Sequence, residues 1–289
     1  MTNRERSANE VNESIQLFRC PICHQRMKVI HFKSIICSKH HTFDFTKQGY
    51  INMLTRSTKQ RYDDKLFVAR QTSIVESNLY LTLHAKILET IDEYLVNTGP
   101  LTIIFDAGCG EGSHLQKIVA KRPNQKTIGI GLDIEKEGIK MAAKNYRNLI
   151  WLVGDLANIP LMNESCHVVL NILSPANYME FNRILSFEGI VVKIVPCSNY
   201  LKEFRKVIFS NSDKNTYTNT SVKTLFKEQF HLVDKVKLSF FKKLNQGELK
   251  QLAQMSPLTW NMEKEQMKSL INLPGITIDL DILVGKKKP

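Results

Sequence analysis

No apolar run in this 289-residue chain approaches the roughly 18 residues that a membrane-spanning helix needs. The opening residues, MTNRERSANEVNESIQ, hold no apolar stretch of the kind a secretory signal carries. Together these absences point to a cytoplasmic protein that avoids membranes. Cysteine is scarce, with six in the chain. In a reducing compartment, cysteines that cluster argue for metal binding or catalysis rather than disulfides. Acidic residues are also in deficit, 28 against 40 lysines and arginines, which leaves a net charge of +12. Residues 1–70 hold 13 basic against 6 acidic side chains, so the excess is concentrated early and suits a polyanionic partner, nucleic acid first. What remains is ordinary for a globular protein: 43% hydrophobic residues supply a core, and the length suggests about two domains.

The scarce cysteines are not scattered. Three of the six, with four of the eight histidines, fall between Phe18 and Phe45. Cys20 and Cys23 are separated by two residues, Cys37 follows after 13 more, and His41 comes next with three residues between it and Cys37. Three thiolates and one imidazole close a tetrahedral shell, the mark of a structural zinc site. His40 competes for the fourth position, but the three-residue gap favours His41; His24 and His31 read as surface residues. The insert HQRMKVIHFKSII alternates like a short hairpin. A knuckle this small buries too little to fold alone, so one zinc ion is expected to supply its folding energy. The stretch after it, TKQGYINMLTRSTKQRYDDK, is polar and basic and reads as a linker or an arm along a partner. Charge reversal at its Arg56, Lys59 and Arg61 is expected to weaken nucleic-acid binding and to leave the second part of the chain untouched.

The next part has a different pattern. LFVARQTSIVESNLYLTLHAKILETIDEYLVN reads as helix. Leu101–Phe105 reads as a buried parallel strand that runs into Asp106-Ala107-Gly108-Cys109-Gly110-Glu111-Gly112 and then a helix, the nucleotide-binding arrangement of an open α/β sheet. A dinucleotide fingerprint needs a third glycine where Ser113 stands. The leading carboxylate would repel a pyrophosphate but suits a cationic amino group, which favours S-adenosylmethionine. Asp133, at the end of KTIGIGLDI, is placed to accept from ribose hydroxyls. Asp155 and Leu156, after LIWLVG, are placed beside an adenine. CHVVLNILSP and GIVVKIVPC read as the fourth and fifth strands, and HLVDKVKLSFF and GITIDLDILVG as a closing antiparallel hairpin.

The stretches CPICHQ, ICSKHHTFDFTKQGYINML, FDAGCGEGSHL, GLDIEKEGIKMAAK and LAQMSPLTW carry a resemblance to the RlmA-type 23S ribosomal RNA guanine-N1 methyltransferases, the group that includes the tylosin-resistance enzyme. It covers nearly all of the chain after Gln16. The resemblance implies an α/β protein: a Rossmann-like class I methyltransferase domain with a seven-stranded, mostly parallel sheet, preceded by a small zinc-binding RNA domain. The expected division is an extension over 1–17, the zinc-binding domain over 18–54, a basic linker or arm over 55–75 and the methyltransferase domain over 76–289. Cys20, Cys23, Cys37 and His41 would hold zinc; Asp106, Gly108, Gly110, Gly112, His114, Asp133, Ile134, Asp155 and Leu156 would surround S-adenosylmethionine. The implied partner is a 23S rRNA hairpin, with no membrane and with a homodimer allowed, and macrolide resistance belongs to the same expectation. Where the family tends to carry a Pro-Gly turn and a His-Leu pair, this chain has VPCSNYLKEF, with Cys197 and Tyr200, which leaves the target guanine open.

Guanine N1 lies on the Watson–Crick edge and carries a proton at neutral pH, so a reacting base must be unpaired or extruded and must lose that proton. The acceptor is not legible. In NILSPANY the polar Asn171, Ser174 and Asn177 are candidates to face the substrate, and Trp260 is placed to stack on the guanine with Met255 lining the pocket. Two other classes fit in part. A small-molecule methyltransferase would have little use for a basic zinc knuckle. Against a non-catalytic RNA-binding protein stands the intact set Asp106, Asp133 and Asp155.

Overall fold

The computed structural model describes residues 1–57, 62–95, 99, 101–123, 126–209, 218–260 and 262–288. The N-terminal extension is folded: α1 (Asn3–Glu13) starts at a capping box in which Thr2 accepts from the Glu5 N–H and the Glu5 carboxylate reaches back to Thr2. Its Ala8 and Val11 are fully buried. The alternating insert forms the expected hairpin, β1 (Met27–Ile30) antiparallel to β2 (Ser34–Cys37), and β3 (Thr42–Asp44) adds a third strand.

The main sheet is built from β4 (Ile51–Asn52), β5 (Leu101–Ala107), β6 (Lys126–Asp133), β7 (Ile150–Val153), β8 (Cys166–Ile172), β9 (Leu185–Pro196), β10 (His231–Lys243) and β11 (Gly275–Lys286). Their order across the sheet is β10-β11-β9-β8-β5-β6-β7-β4, with β4 to β9 parallel and β11 antiparallel to both of its neighbours, β9 and β10. The near-continuous apolar sequence of β5, β7 and β8 fits strands covered on both faces. On one face lie α3 (Leu81–Tyr94), α4 (Ser113–Val119) and α5 (Lys136–Asn145), whose Leu83, Ile87, Leu115, Ile118 and Ile139 are buried in one core. On the other face α6 (Tyr178–Ile184) contributes Phe181 and Ile184 to a second core, which Ala8 of α1 and Phe18, Ile35 and Phe43 of the zinc-binding unit share.

Three features differ from the sequence reading. The sheet has eight strands, because β4, from the zinc-binding unit, pairs with β7 through Ile51–Leu152 and Asn52–Val153. The late strands do pair antiparallel, but α9 (Gln246–Met255) and α10 (Lys264–Ile271) lie between them, so they are not a hairpin. The long helical run is broken: α2 (Asp64–Gln71) leads into a π-helical turn over Thr72–Glu76, and Asn78, at φ 48°, turns the chain before α3. Periodicity cannot reveal that break, whereas Asn is one of the few residues that adopt this left-handed conformation readily. Lys59 and Arg61 of the basic arm lie outside the described residues. Among the described residues, no helix is long and apolar enough to cross a membrane.

Candidate functional site

The cysteine cluster closes on itself in space. Cys20 Sγ and Cys37 Sγ each lie 3.5 Å from His41 Nδ1, and Cys23 Sγ lies 3.5 Å from Cys37 Sγ. All four ligand atoms fall within 4.8 Å of one another. A tetrahedron with Zn–S near 2.3 Å and Zn–N near 2.05 Å spaces its ligands by about 3.5–3.8 Å, so the donor set fits zinc. Two turns set this geometry: His24 N–H donates to the Cys20 carbonyl and His40 N–H to the Cys37 carbonyl. His24 and His40 both sit at positive φ within those turns, and neither joins the cluster. His31 stands at the β1–β2 turn, also outside it.

The glycine-rich loop continues β5 and is fixed to β6, with Gly108 N–H and Cys109 N–H both donating to the Leu132 carbonyl. Two of its glycines are required. Gly108, at φ +77°, faces Ser174, whose Oγ would lie 1.9 Å from an added Cβ; Gly112, at φ +81°, faces the Trp151 ring at 2.3 Å. Gly110 N–H donates to Asp133 Oδ2 at 2.8 Å, and Glu135 N–H to Asp133 Oδ1 at 2.9 Å. Asp106 is 1% exposed, and its Oδ2 has no hydrogen-bond partner among the described residues. Burial pushes its pKa up to about 7, against the pull of Arg70. Burial raises the Asp133 carboxyl as well, opposed by the N–H groups it accepts from. A buried carboxylate oxygen without a partner, beside a loop too close for side chains, fits the ammonium group of S-adenosylmethionine.

Arg70 enters this loop from α2. Its Nε lies 2.5 Å from Oε2 of the fully buried Glu111, and its guanidinium lies 3.2–3.6 Å from where a Gly110 Cβ would be. The sequence places this residue in the helical run and within the 55–75 linker or arm, and assigns it no role in the site. A signal was present, since Arg70 is a cation in an otherwise apolar helical turn.

Two cavities are lined by residues close to the loop. One, of about 510 Å³, is lined by Asn52, Leu54 and Arg56 from the zinc-binding side and by Ile134, Glu135 and Val153 from the ends of β6 and β7. Asp155 Oδ2 accepts from Arg56 Nη2 at 2.8 Å, and Leu156 packs against the second core. Arg56 therefore touches a cofactor candidate, contrary to the expectation that charge reversal there leaves the cofactor residues untouched. The other cavity, of about 500 Å³, lies beyond β8 and β9 and is lined by Arg70, Tyr80, His114, Ser174, Lys193 and Tyr200, with Met255 at its edge. His114 Nδ1 pairs with His84 Nε2 at 2.8 Å. Burial holds His84 down to about 4 and His114 well below the usual imidazole range, so both are neutral. Tyr80 and Tyr200 hydroxyls meet at 2.7 Å.

The four residues expected to face a substrate separate. Asn171 is fully buried; its Nδ2 donates to the Ala107 and Pro175 carbonyls at 2.9 Å, and its Oδ1 accepts from Lys193 Nζ. Ser174 lines the second cavity. Asn177 caps α6 by accepting from the Glu180 N–H at 3.1 Å. Trp260 is half exposed, with its ring 5.5 Å from that of Tyr62. Lys193 is not among the sequence candidates, although a lysine within the apolar run GIVVKIVP is itself a signal.

Two family models match separate parts of the chain. The family model for the RlmA N-terminal zinc ribbon matches residues 18–60, and a methyltransferase-domain model matches residues 104–188. YxjB of Bacillus subtilis (strain 168), which carries the provisional name of a 23S rRNA (guanine-N1)-methyltransferase, is 38% identical over 275 residues, covering 94% of this chain and 97% of that protein. The 23S rRNA (guanine(748)-N(1))-methyltransferase of Streptomyces fradiae is 25% identical over 264 residues, 91% of this chain and 92% of that one.

Proposed function

This chain belongs to the 23S rRNA (guanine-N1)-methyltransferase family, and from that premise we propose that it methylates N1 of one guanine in a hairpin loop of 23S rRNA. S-adenosylmethionine, when bound, supplies the methyl group from its sulfonium centre. The protein's part is to hold that group and the base in line and to take up the proton. The observation that carries the proposal is the shared wall of the first cavity: Asn52, Leu54 and Arg56 from the zinc-binding side face Ile134 and Val153 of the methyltransferase side. RNA gripped by the basic first unit is thereby delivered next to the cofactor groove. A small-molecule enzyme would need no such unit.

In this reading Asp106 takes the ammonium group of the cofactor and Asp133 the ribose hydroxyls. Ile134, Asp155 and Leu156 flank the adenine, the backbone of Gly108, Gly110 and Gly112 follows the ligand, and His114 bounds the side towards the substrate. The guanine at the position named for the Streptomyces relative is the first candidate target. Methylation of rRNA from a strain lacking this chain, followed by primer-extension mapping, should give one new stop at a single guanine. An rRNA preparation that accepts no methyl group would overturn the proposal.

Two expectations follow for cofactor binding. Asp133→Ala should weaken S-adenosylmethionine binding by about 1.5–3 kcal/mol, the range for hydrogen bonds to a charged group, or roughly 10- to 150-fold. Calorimetry on the folded variant is the check, and equal affinity would mean that the ribose is held elsewhere. The second concerns pH. A cationic ligand binds the ionised form of Asp106, whose pKa is held up to about 7. Affinity should therefore be near its plateau above pH 7 and fall by about tenfold per unit below it, with proton release in the calorimeter between pH 5.5 and 7. An affinity flat from pH 5.5 to 7.5 would remove Asp106 from the site.

A further inference from the structure

The second cavity contains a cation that the cofactor groove does not use. Lys193 stands in the middle of β9, opposite Asn171 in the β8–β9 register, and is 5% exposed. Its Nζ donates to Asn171 Oδ1 and, at 2.8 Å, to the Ser174 carbonyl. Both partners lie against the glycine-rich loop: Asn171 Nδ2 donates to the Ala107 carbonyl, and Ser174 Oγ occupies the space that a side chain at Gly108 would fill. Lys193 therefore lies at the junction of the cofactor loop and the cavity beyond β8 and β9, which it lines.

We propose, building on the reading that the substrate is a guanine, that Lys193 is the group that takes the proton from N1 as the methyl group arrives. The two acceptors determine what the amine can do. A neutral amine has two N–H bonds, and Asn171 and Ser174 use both, which leaves its lone pair for the cavity. An ammonium group has a third N–H, and that one occupies the same direction. The same two anchors thus hold both protonation states, and the change between them occurs on the cavity side. In the step itself the N1–H electron pair becomes the N1–CH3 bond as the sulfonium S–CH3 bond breaks. The proton passes to Nζ, and the products are N1-methylguanine, a neutral thioether and the Lys193 ammonium.

The surroundings bring the neutral form within reach, and it predominates above pH 8. No carboxylate is among the described residues that line the cavity; the charged groups there are Arg70 from α2 and Arg205 from α7 (Lys202–Ile208), both cationic. On the neighbouring strand β11 the acids Asp279 and Asp281 are engaged by Lys237 and by Lys223 and Lys235. Burial pushes the Lys193 pKa down to about 8. It also keeps Tyr80 and Tyr200 protonated and His114 neutral. Above the Asp106 transition near pH 7, Lys193 is the lining group expected to titrate up to pH 9.

The test is single-turnover methylation of the 23S rRNA hairpin by the full-length zinc-loaded protein, from pH 6.5 to 9.5, for the parent, Lys193→Met and Lys193→Arg. The parent rate should rise to a plateau with an inflection near pH 8. Both variants should be slower by 100-fold or more at pH 8 and lack that inflection, because methionine holds no proton and arginine keeps its own, while S-adenosylmethionine affinity stays within threefold. Independently of activity, the Cε resonance of Lys193 in 13C-lysine-labelled protein should titrate near pH 8 and be missing from Lys193→Met. A parent that methylates the hairpin while Lys193→Met keeps its rate within threefold overturns the proton role alone. Recovery by Lys193→Arg also overturns it, since a fixed charge would then suffice. A parent that methylates no guanine overturns the functional reading and this proposal together.

Discussion

Replacing Cys20 and Cys37 together with serine should abolish stoichiometric zinc and unfold the first unit. The four ligand atoms lie within 4.8 Å of one another, and the two changes remove half of the shell. Structural zinc contributes about 10–16 kcal/mol to the folding of comparable small motifs, as much as the whole stability of many domains, so no rearrangement of β1 to β3 replaces it. The effect should not stop at the first unit. From sequence alone the two domains look separable, and chelation is then expected to leave cofactor binding nearly intact. The structure argues otherwise, because β4 pairs with β7 and Asn52, Leu54 and Arg56 wall the first cavity. Losing the zinc should also weaken S-adenosylmethionine binding measurably and speed amide exchange along β7, with β8 and β9 protected as before. Elemental analysis with hydrogen exchange is the measurement. Zinc remaining at one per chain in the double variant would sink the ligand assignment. Unchanged exchange in β7 would show that the units are independent after all.

That difference marks where the sequence stops being legible. The zinc ligands and the glycine-rich loop could be read because each is a local device: three residues between Cys37 and His41, or alternating glycines after a strand, fix the geometry within one turn. The parallel strands were legible for a similar reason, as apolar runs ending in glycine or an acid. What could not be read depends on distant pairings. Ile51 meets Leu152 across about a hundred residues, and two strand residues in a polar stretch carry no periodic signal. Asn171 and Asn177 look alike in NILSPANY, yet one is buried between Ala107, Pro175 and Lys193, and the other caps a helix. Only the fold assigns those roles.

Arg70 is another such residue, and its removal should have the larger effect on the methyltransferase half. Arg70→Met takes away the cation that lies 2.5 Å from Glu111, whose side chain is fully buried. Breaking a buried pair from one side leaves an uncompensated charge and costs about 3–5 kcal/mol, which for a chain of this size lowers the melting temperature by roughly 10 °C. Adding Glu111→Gln should restore much of the loss, because an amide is much cheaper to bury than a carboxylate. That recovery distinguishes an ion pair from simple packing in a double-mutant cycle. A second consequence falls on the cofactor. Arg70 also holds the Asp106 pKa down, so without it the Asp106 carboxyl should rise above 7 and remain protonated at neutral pH. The pH at which S-adenosylmethionine affinity begins to fall should then move upward in Arg70→Met and return towards the parent value only if a cation is restored, as in Arg70→Lys. If Arg70→Met melts within a degree of the parent and binds the cofactor with the parent's pH dependence, α2 is an ordinary linker helix and the loop is held without it.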